Sequence, residues 1–101
     1  MDKIKFVWNE KKSTINKKKH GIDFSQAMLV HYDPYALWIY DIKHSSSDEY
    51  RWIILGTVND AILFVVETEI DENNTIRIIS ARPAIKQERE IYYENRHNQK
   101  K

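Results

Sequence analysis

The order of residue patterns in this chain predicts an α+β domain with two N-terminal helices, an antiparallel sheet of three to four strands, and a C-terminal helix. Three observations lead there. The N-terminal part is polar and carries helix start and stop signals. The middle is a series of β-branched and aromatic runs separated by turn residues. Behind Pro83 the composition becomes polar and helix-forming again. At 101 residues the chain can bury one core but not two. The expected organisation is one domain over residues 1–95 and a flexible tail over 96–101.

Taken in order, "IKFVW" at 4–8 reads as a strand or an extended lead-in. Asn9 offers an N-cap and Gly21 a C-cap for a polar helix between them, with Trp8 and Ile15 as its expected anchors. Its last turn, "KKKH", places cations where the helix dipole favours them. "DFSQAMLVHYDP" reads as a second short helix: Asp23 can cap it and Gln26 stands at the capping-box position. Asp33 and Pro34 end it. Strands follow at 35–41, 50–58, 61–70 and 75–81, with Asn59-Asp60 as a hairpin turn and "DENN" at 71–74 as another. The closing helix is expected from Pro83 to Asn95. "WIIL" and "ILFVV" are apolar at consecutive positions, so both sheet faces want cover. Few helices are available to supply it, which points to a protein partner.

Composition narrows the chemistry. The absence of cysteine excludes disulfide frameworks and thiolate metal sites and suits a reducing compartment. The longest apolar run, at 61–66, is too short to span a bilayer, and no secretory signal pattern opens the chain. A cytoplasmic protein with no membrane association is the expectation. The net charge of +1 conceals a strong asymmetry. Residues 1–20 carry +5, residues 21–75 carry −8, and residues 76–101 carry +4. If folding brings the two basic ends together, the positive face suits a phosphate polymer. Otherwise the ends only neutralise the acidic middle.

No nucleophile motif or Gly-rich phosphate loop is present. His31 with Asp33, and His44 with Asp48, are spaced like partial metal sites, but neither pair brings a third ligand, so no metal and no cofactor are expected. What remains is a set of cations at element joints: Lys19, His20, Arg51, Arg77, Arg82 and Arg89. Each has a structural alternative. Arg51 can pair with Glu67 or Glu69, Arg89 can brace its helix with Glu88, and Lys19 can end a helix. Arg77 stands out, because an arginine between isoleucines in a strand is costly unless it is paired or functional. Simple alternation puts Arg77 with Ile79 and Ala81, and Arg82 on the other face with Ile76, Ile78 and Ser80. The turn after Ala81 can re-aim Arg82.

From Phe6 to about Glu94 the sequence resembles the BrnT toxins of bacterial BrnT–BrnA type II toxin–antitoxin systems. "WNEKKSTINKKKHGIDFSQA" is similar to the family's opening, with Trp8, Lys12, Asn16, Lys19, His20, Gly21, Phe24 and Ala27 on motif positions. "DP" at 33–34 and "EYRWIILG" at 49–56 resemble its middle segment, and "TIRIISARPAIKQEREIYYE" its closing signature. Two departures are Asn9 in place of the usual Asp and Pro83 where a basic residue is common. The resemblance implies a RelE-like fold and a metal-independent endoribonuclease that arrests translation. It also implies neutralisation by a cognate BrnA-like antitoxin, with DNA contacted only through that antitoxin.

Metal-free RNA cleavage uses the 2′-hydroxyl as nucleophile, so it needs a proton acceptor, a proton donor and cations for the developing charge. The expected catalytic set is Lys19, His20, Arg51, Arg77 and Arg82, with the arginines on phosphate and His20 as the group titrating near neutrality. Lys18, Trp8 and Tyr92 are the expected RNA contacts, and Glu69 and Tyr92 further acid–base candidates. Two alternatives from other classes are a nonenzymatic nucleic-acid module and a domain whose task is pairing with another protein.

Overall fold

The computed structural model describes residues 3–71 and 74–99, so the expected turn at 71–74 lies partly outside the described residues. The elements are β1 (Lys5–Val7), α1 (Glu10–His20), α2 (Phe24–Ala27), a 3-10 turn (Met28–Tyr32), β2 (Leu37–Tyr40), β3 (Arg51–Val58), β4 (Ala61–Asp71), β5 (Thr75–Pro83) and α3 (Lys86–Gln99). The fold is α+β as expected, but the sheet is five-stranded and mixed, in the order β1-β5-β4-β3-β2. Strands β2 to β5 are antiparallel, while β1 runs parallel to β5 with Val7 opposite Arg77. Three residues carry no periodicity of their own, so "IKFVW" read equally well as a lead-in.

The local signals work as chemistry requires. Asn9 accepts the Lys12 N–H at 3.1 Å to start α1, and Gly21 ends it at φ 77° with its N–H on the Lys17 carbonyl. Asp23 and Gln26 form the reciprocal capping box. The second helix is nonetheless a single turn, continued by the 3-10 turn. Asn59 and Asp60 both take positive φ, the geometry of a tight hairpin turn between β3 and β4. α3 starts at Lys86 rather than Pro83, because Pro83 still stands opposite Leu63 as the last residue of β5. It continues past residue 95 to Gln99.

Two apolar clusters flank the sheet. On one face Ile22, Phe24, Ala27 and Val30 pack on Ile54, Val65, Ile78 and Ala81. The 3-10 turn lies so close that a Cβ on Gly56 would come within 2.9 Å of the Val30 Cβ. On the other face α3 buries Tyr92 and joins Ala84 to Leu55 and Ile62. Each face is covered over part of its area only.

α1 docks differently from the expectation. Ile15 is 60% exposed, and the buried residues of the helix are Ser13 and Asn16. Ser13 accepts the Phe24 N–H at 2.9 Å. Asn16 donates to the carbonyls of Ile22 and Ala81 at 2.8 and 2.7 Å, and accepts the Ala81 N–H at 3.3 Å. Since β1 reaches β5 only at residues 75–77, the outer edge of β5 at Ala81 would otherwise be unpaired. A side-chain amide supplies what a strand would supply, at a site where an unpaired buried group costs about 1–3 kcal/mol.

Candidate functional site

The basic ends of the sequence meet along β5, which β1 pairs with and α1 packs against. The register of β5 then decides where its arginines point. Val66 stands opposite Ser80 but the next residue, Glu67, stands opposite Ile78, so Ile79 is an extra residue without a partner on β4. Such a bulge reverses the side-chain alternation beyond it. Ile76, Ile78 and Ala81 are consequently all buried on the face covered by α2 and the 3-10 turn, and Arg77, Ser80 and Arg82 share the face on which α3 packs. The opposite-face arrangement expected from simple alternation does not hold.

Arg51 joins that face, because Arg51, Thr68 and Arg77 stand in one row across β3, β4 and β5. Their guanidinium groups converge on Glu49. Arg51 Nε donates to Glu49 Oε1 at 2.7 Å and Arg77 Nη2 to Glu49 Oε2 at 2.6 Å. Glu67 and Glu69, the expected partners of Arg51, are not used. The hydrogen bond from Arg51 is the largest of several effects that hold the Glu49 carboxyl below its ordinary pKa. One carboxylate therefore serves two cations, and one net positive charge is left. Both arginines are partly open to solvent, with side chains 34% and 45% exposed. They line an open cleft of about 430 Å³ with Trp8, Asn9, Lys12 and the bulge at Ile79. Lys12 lies one helical turn before Asn16, so the tether of Asn16 to Ala81 brings it over the arginine end of β5.

Arg82 lies five residues further along, roughly 16 Å on an extended strand. Its fork is closed by Glu88, with Nη1 to Oε1 at 2.8 Å and Nη2 to Oε2 at 2.9 Å. Its guanidinium carbon sits 3.9 Å from the centroid of the Phe64 ring. This hydrogen-bonded pairing raises the Arg82 pKa and lowers that of Glu88. Glu88 also accepts the Ile85 N–H at 2.9 Å, capping the start of α3. The brace at this corner is thus Arg82 with Glu88; Arg89, expected there, instead donates to the Ala84 carbonyl at 2.7 Å.

The remaining expected residues are scattered. Lys19 is exposed and His20 half-buried on the last turn of α1, and neither lines the arginine cleft. Lys18 lines a separate hollow of about 400 Å³ with Trp8, Glu10 and Asp23. Trp8 packs against the core, donates its indole N–H to Glu10 at 2.6 Å, and borders both hollows. Tyr92 corrects the expectation of an RNA contact, since its side chain is 0% exposed. Its hydroxyl donates to Asp33 Oδ2 at 2.5 Å and accepts from Thr57 Oγ1 at 2.8 Å. Burial pushes the Tyr92 pKa up and the Asp33 carboxylate raises it further, so the phenol stays protonated. Burial also acts to raise the pKa of Asp33, but the hydrogen bonds from Tyr92, Thr57 and Tyr35 outweigh it and the net shift is downward. This network ties α3 to β3 and is structural.

Glu49 and Lys12 stand in the cleft although neither is in the expected catalytic set; Lys12 occupies a motif position only. A signal existed in the alternation of Glu49 and Arg51 at the start of β3, but nothing in the sequence shows that Arg77 reaches the same carboxylate. Among the described residues no group of three or more His, Cys, Asp or Glu side chains is placed to hold a metal ion. No helix among them is long and apolar enough to cross a membrane.

Comparison with known proteins agrees with the resemblance seen in the motifs. No curated protein matches the chain. A family model does, described as "Ribonuclease toxin, BrnT, of type II toxin-antitoxin system", over residues 8–88. That span runs from Trp8 through the arginine cleft to Glu88 at the head of α3. The chain therefore belongs to the BrnT family of ribonuclease toxins of type II toxin–antitoxin systems.

Proposed function

We propose that the chain cleaves RNA without a metal ion, arresting translation, and that the Arg51–Glu49–Arg77 cleft holds the scissile phosphate. The carrying observation is the convergence of two partly exposed guanidinium groups on one carboxylate, beside Lys12. An arginine fork matches the oxygens of a phosphate as it matches a carboxylate. A phosphodiester entering the cleft takes over the donors that Glu49 now occupies, and two cations meet the charge that grows on the phosphorus oxygens.

The same exchange gives Glu49 a part in the chemistry. Its pKa is depressed chiefly by the hydrogen bond from Arg51. When phosphate draws the arginines away, that depression is relieved and the carboxylate becomes a better base beside the ribose. Glu49 then accepts the 2′-hydroxyl proton, and the 2′-oxygen attacks phosphorus. The bond from phosphorus to the 5′-oxygen breaks, and the leaving oxygen takes a proton from the Lys12 ammonium. The products are a 2′,3′-cyclic phosphate and a free 5′-hydroxyl. Lys19 and His20, beyond Asn16 on α1, meet the RNA further along the outer edge of β5, with Lys18 on the neighbouring turn. A cognate BrnA-like antitoxin, which the type II family implies in general form, blocks access to this edge.

The test is incubation of the purified chain with single-stranded RNA in excess chelator, followed by analysis of the RNA ends. Cyclic phosphate and 5′-hydroxyl ends are expected, with Arg77→Ala and Glu49→Gln each reduced at least about 100-fold. Salt-dependent binding without scission would replace this reading by that of a nonenzymatic RNA-binding module. Cleavage that disappears with chelator would contradict its metal independence.

A further inference from the structure

A second open area lies at the corner where β2, β3 and β4 meet, on the face opposite the arginines. Tyr40 stands opposite Trp52, and strand alternation carries Tyr50 to the same face as Trp52. The Tyr40 and Trp52 rings meet edge-on with centroids 5.3 Å apart, and Tyr50 is tilted against Tyr40 at 6.3 Å. The row that pairs Arg51 with Thr68 puts Glu69 beside Tyr50, one step further along the ladder. Together Tyr40, Tyr50, Trp52 and Glu69 line a hollow of about 370 Å³. The overlying helices reach Trp52 but leave Tyr40 and Tyr50 exposed at 39% and 57%.

We propose that this hollow is an aromatic cage for a cationic side chain, a lysine or arginine presented by a partner protein. Three rings offer electron-rich surfaces to a cation, and their attraction grows as the cation is desolvated. Glu69 supplies the countercharge, and among the described residues its carboxylate makes no ion pair or hydrogen bond of its own. The surroundings have the same sign. Asp48 and Glu69 border the adjoining hollow, where Arg77 and Glu49 are already paired with each other. A nucleotide stacked in the cage would bring its phosphate against these carboxylates, so a cationic guest fits better than a base. Exposed tyrosine and tryptophan at one corner also have the composition of an interface anchor pocket. The proposal rests on family membership, which requires a protein partner, and not on the cleavage mechanism, so either can fail alone.

The test follows the indole N–H of Trp52 by NMR, assigned with a Trp52→Phe variant, during titration with small probes. Acetyl-arginine amide is compared with acetyl-citrulline amide, its neutral counterpart, and with uridine monophosphate. Expected is a saturable shift with the arginine probe at millimolar concentration, and at least roughly tenfold weaker binding of the citrulline probe. Glu69→Gln, an exposed change that keeps the fold, should also weaken the arginine probe several-fold. Equal binding of the citrulline probe, preferential binding of the nucleotide, or no saturable shift with the arginine probe would each overturn the proposal.

Discussion

Two corners of this molecule are built from the same residue types and end in opposite electrostatic states. At the exit of β5, one arginine meets one glutamate. Arg82 and Glu88 close a two-pronged pair, Phe64 covers the guanidinium, and the carboxylate also caps α3. At the other end of the same strand face, two arginines meet one glutamate, and the cleft beside them carries Lys12 as well. The first corner is neutral and self-satisfied. The second holds surplus cations with donors open to solvent. Stoichiometry rather than residue type separates a neutral brace from an open, positively charged cleft.

Several substitutions sharpen that contrast. The largest effect is expected at Arg51→Ala, which leaves Glu49 with one cation. RNA cleavage should fall by roughly 10²–10³-fold, while urea unfolding stays close to that of the parent because both side chains are partly exposed. Next comes Asp33→Asn, on the scaffold that holds α3. Losing hydrogen bonds to a charged acceptor should cost about 2–3 kcal/mol, read as a lower urea midpoint, with cleavage by the folded fraction preserved. The sign of its pH dependence follows from the lowered pKa of Asp33 in the fold. The carboxylate contributes stability above its unfolded value of about 3.9, and that contribution is lost as pH falls through the folded value. The gap between parent and Asp33→Asn should therefore be full at neutral pH and close in acid below about pH 4. Gly56→Ala should cost about 1–3 kcal/mol by forcing a methyl against Val30. The smallest effect is expected at Glu88→Gln, about 1 kcal/mol or less for a partly exposed pair, without loss of cleavage. If Glu88→Gln were instead to abolish cleavage in a folded protein, the two corners would not be separable.

The sequence made some of this legible and hid the rest for physical reasons. Asn9, Gly21, the Asp23–Gln26 box and the Asn59-Asp60 turn act within a few residues, so their chemistry could be read locally. The α+β class and the placing of Arg51 and Arg77 at strand positions were readable in the same way. The bulge at Ile79 was not, because it exists only in relation to β4, and a single extra residue reverses the face on which Arg82 lands. Asn16 stood on a motif position, but its role was hidden because its partner Ala81 lies 65 positions away. Tyr92 resembled a surface aromatic on a polar helix, but Asp33 and Thr57 draw it fully inside. Glu49 becomes the shared partner of two arginines only through Arg77, which is 28 residues distant.

The central claim is that the surplus-charge corner handles RNA phosphate and the neutral corner holds the fold. Its most direct test is one assay on Arg77→Ala and Arg82→Ala, with RNA cleavage in chelator and the urea midpoint measured on the same samples. Arg77→Ala is expected to lose at least about 100-fold in cleavage at nearly unchanged stability. Arg82→Ala is expected to lose stability while its folded fraction still cleaves RNA. Full activity in Arg77→Ala, or a stably folded but inactive Arg82→Ala, would contradict this division.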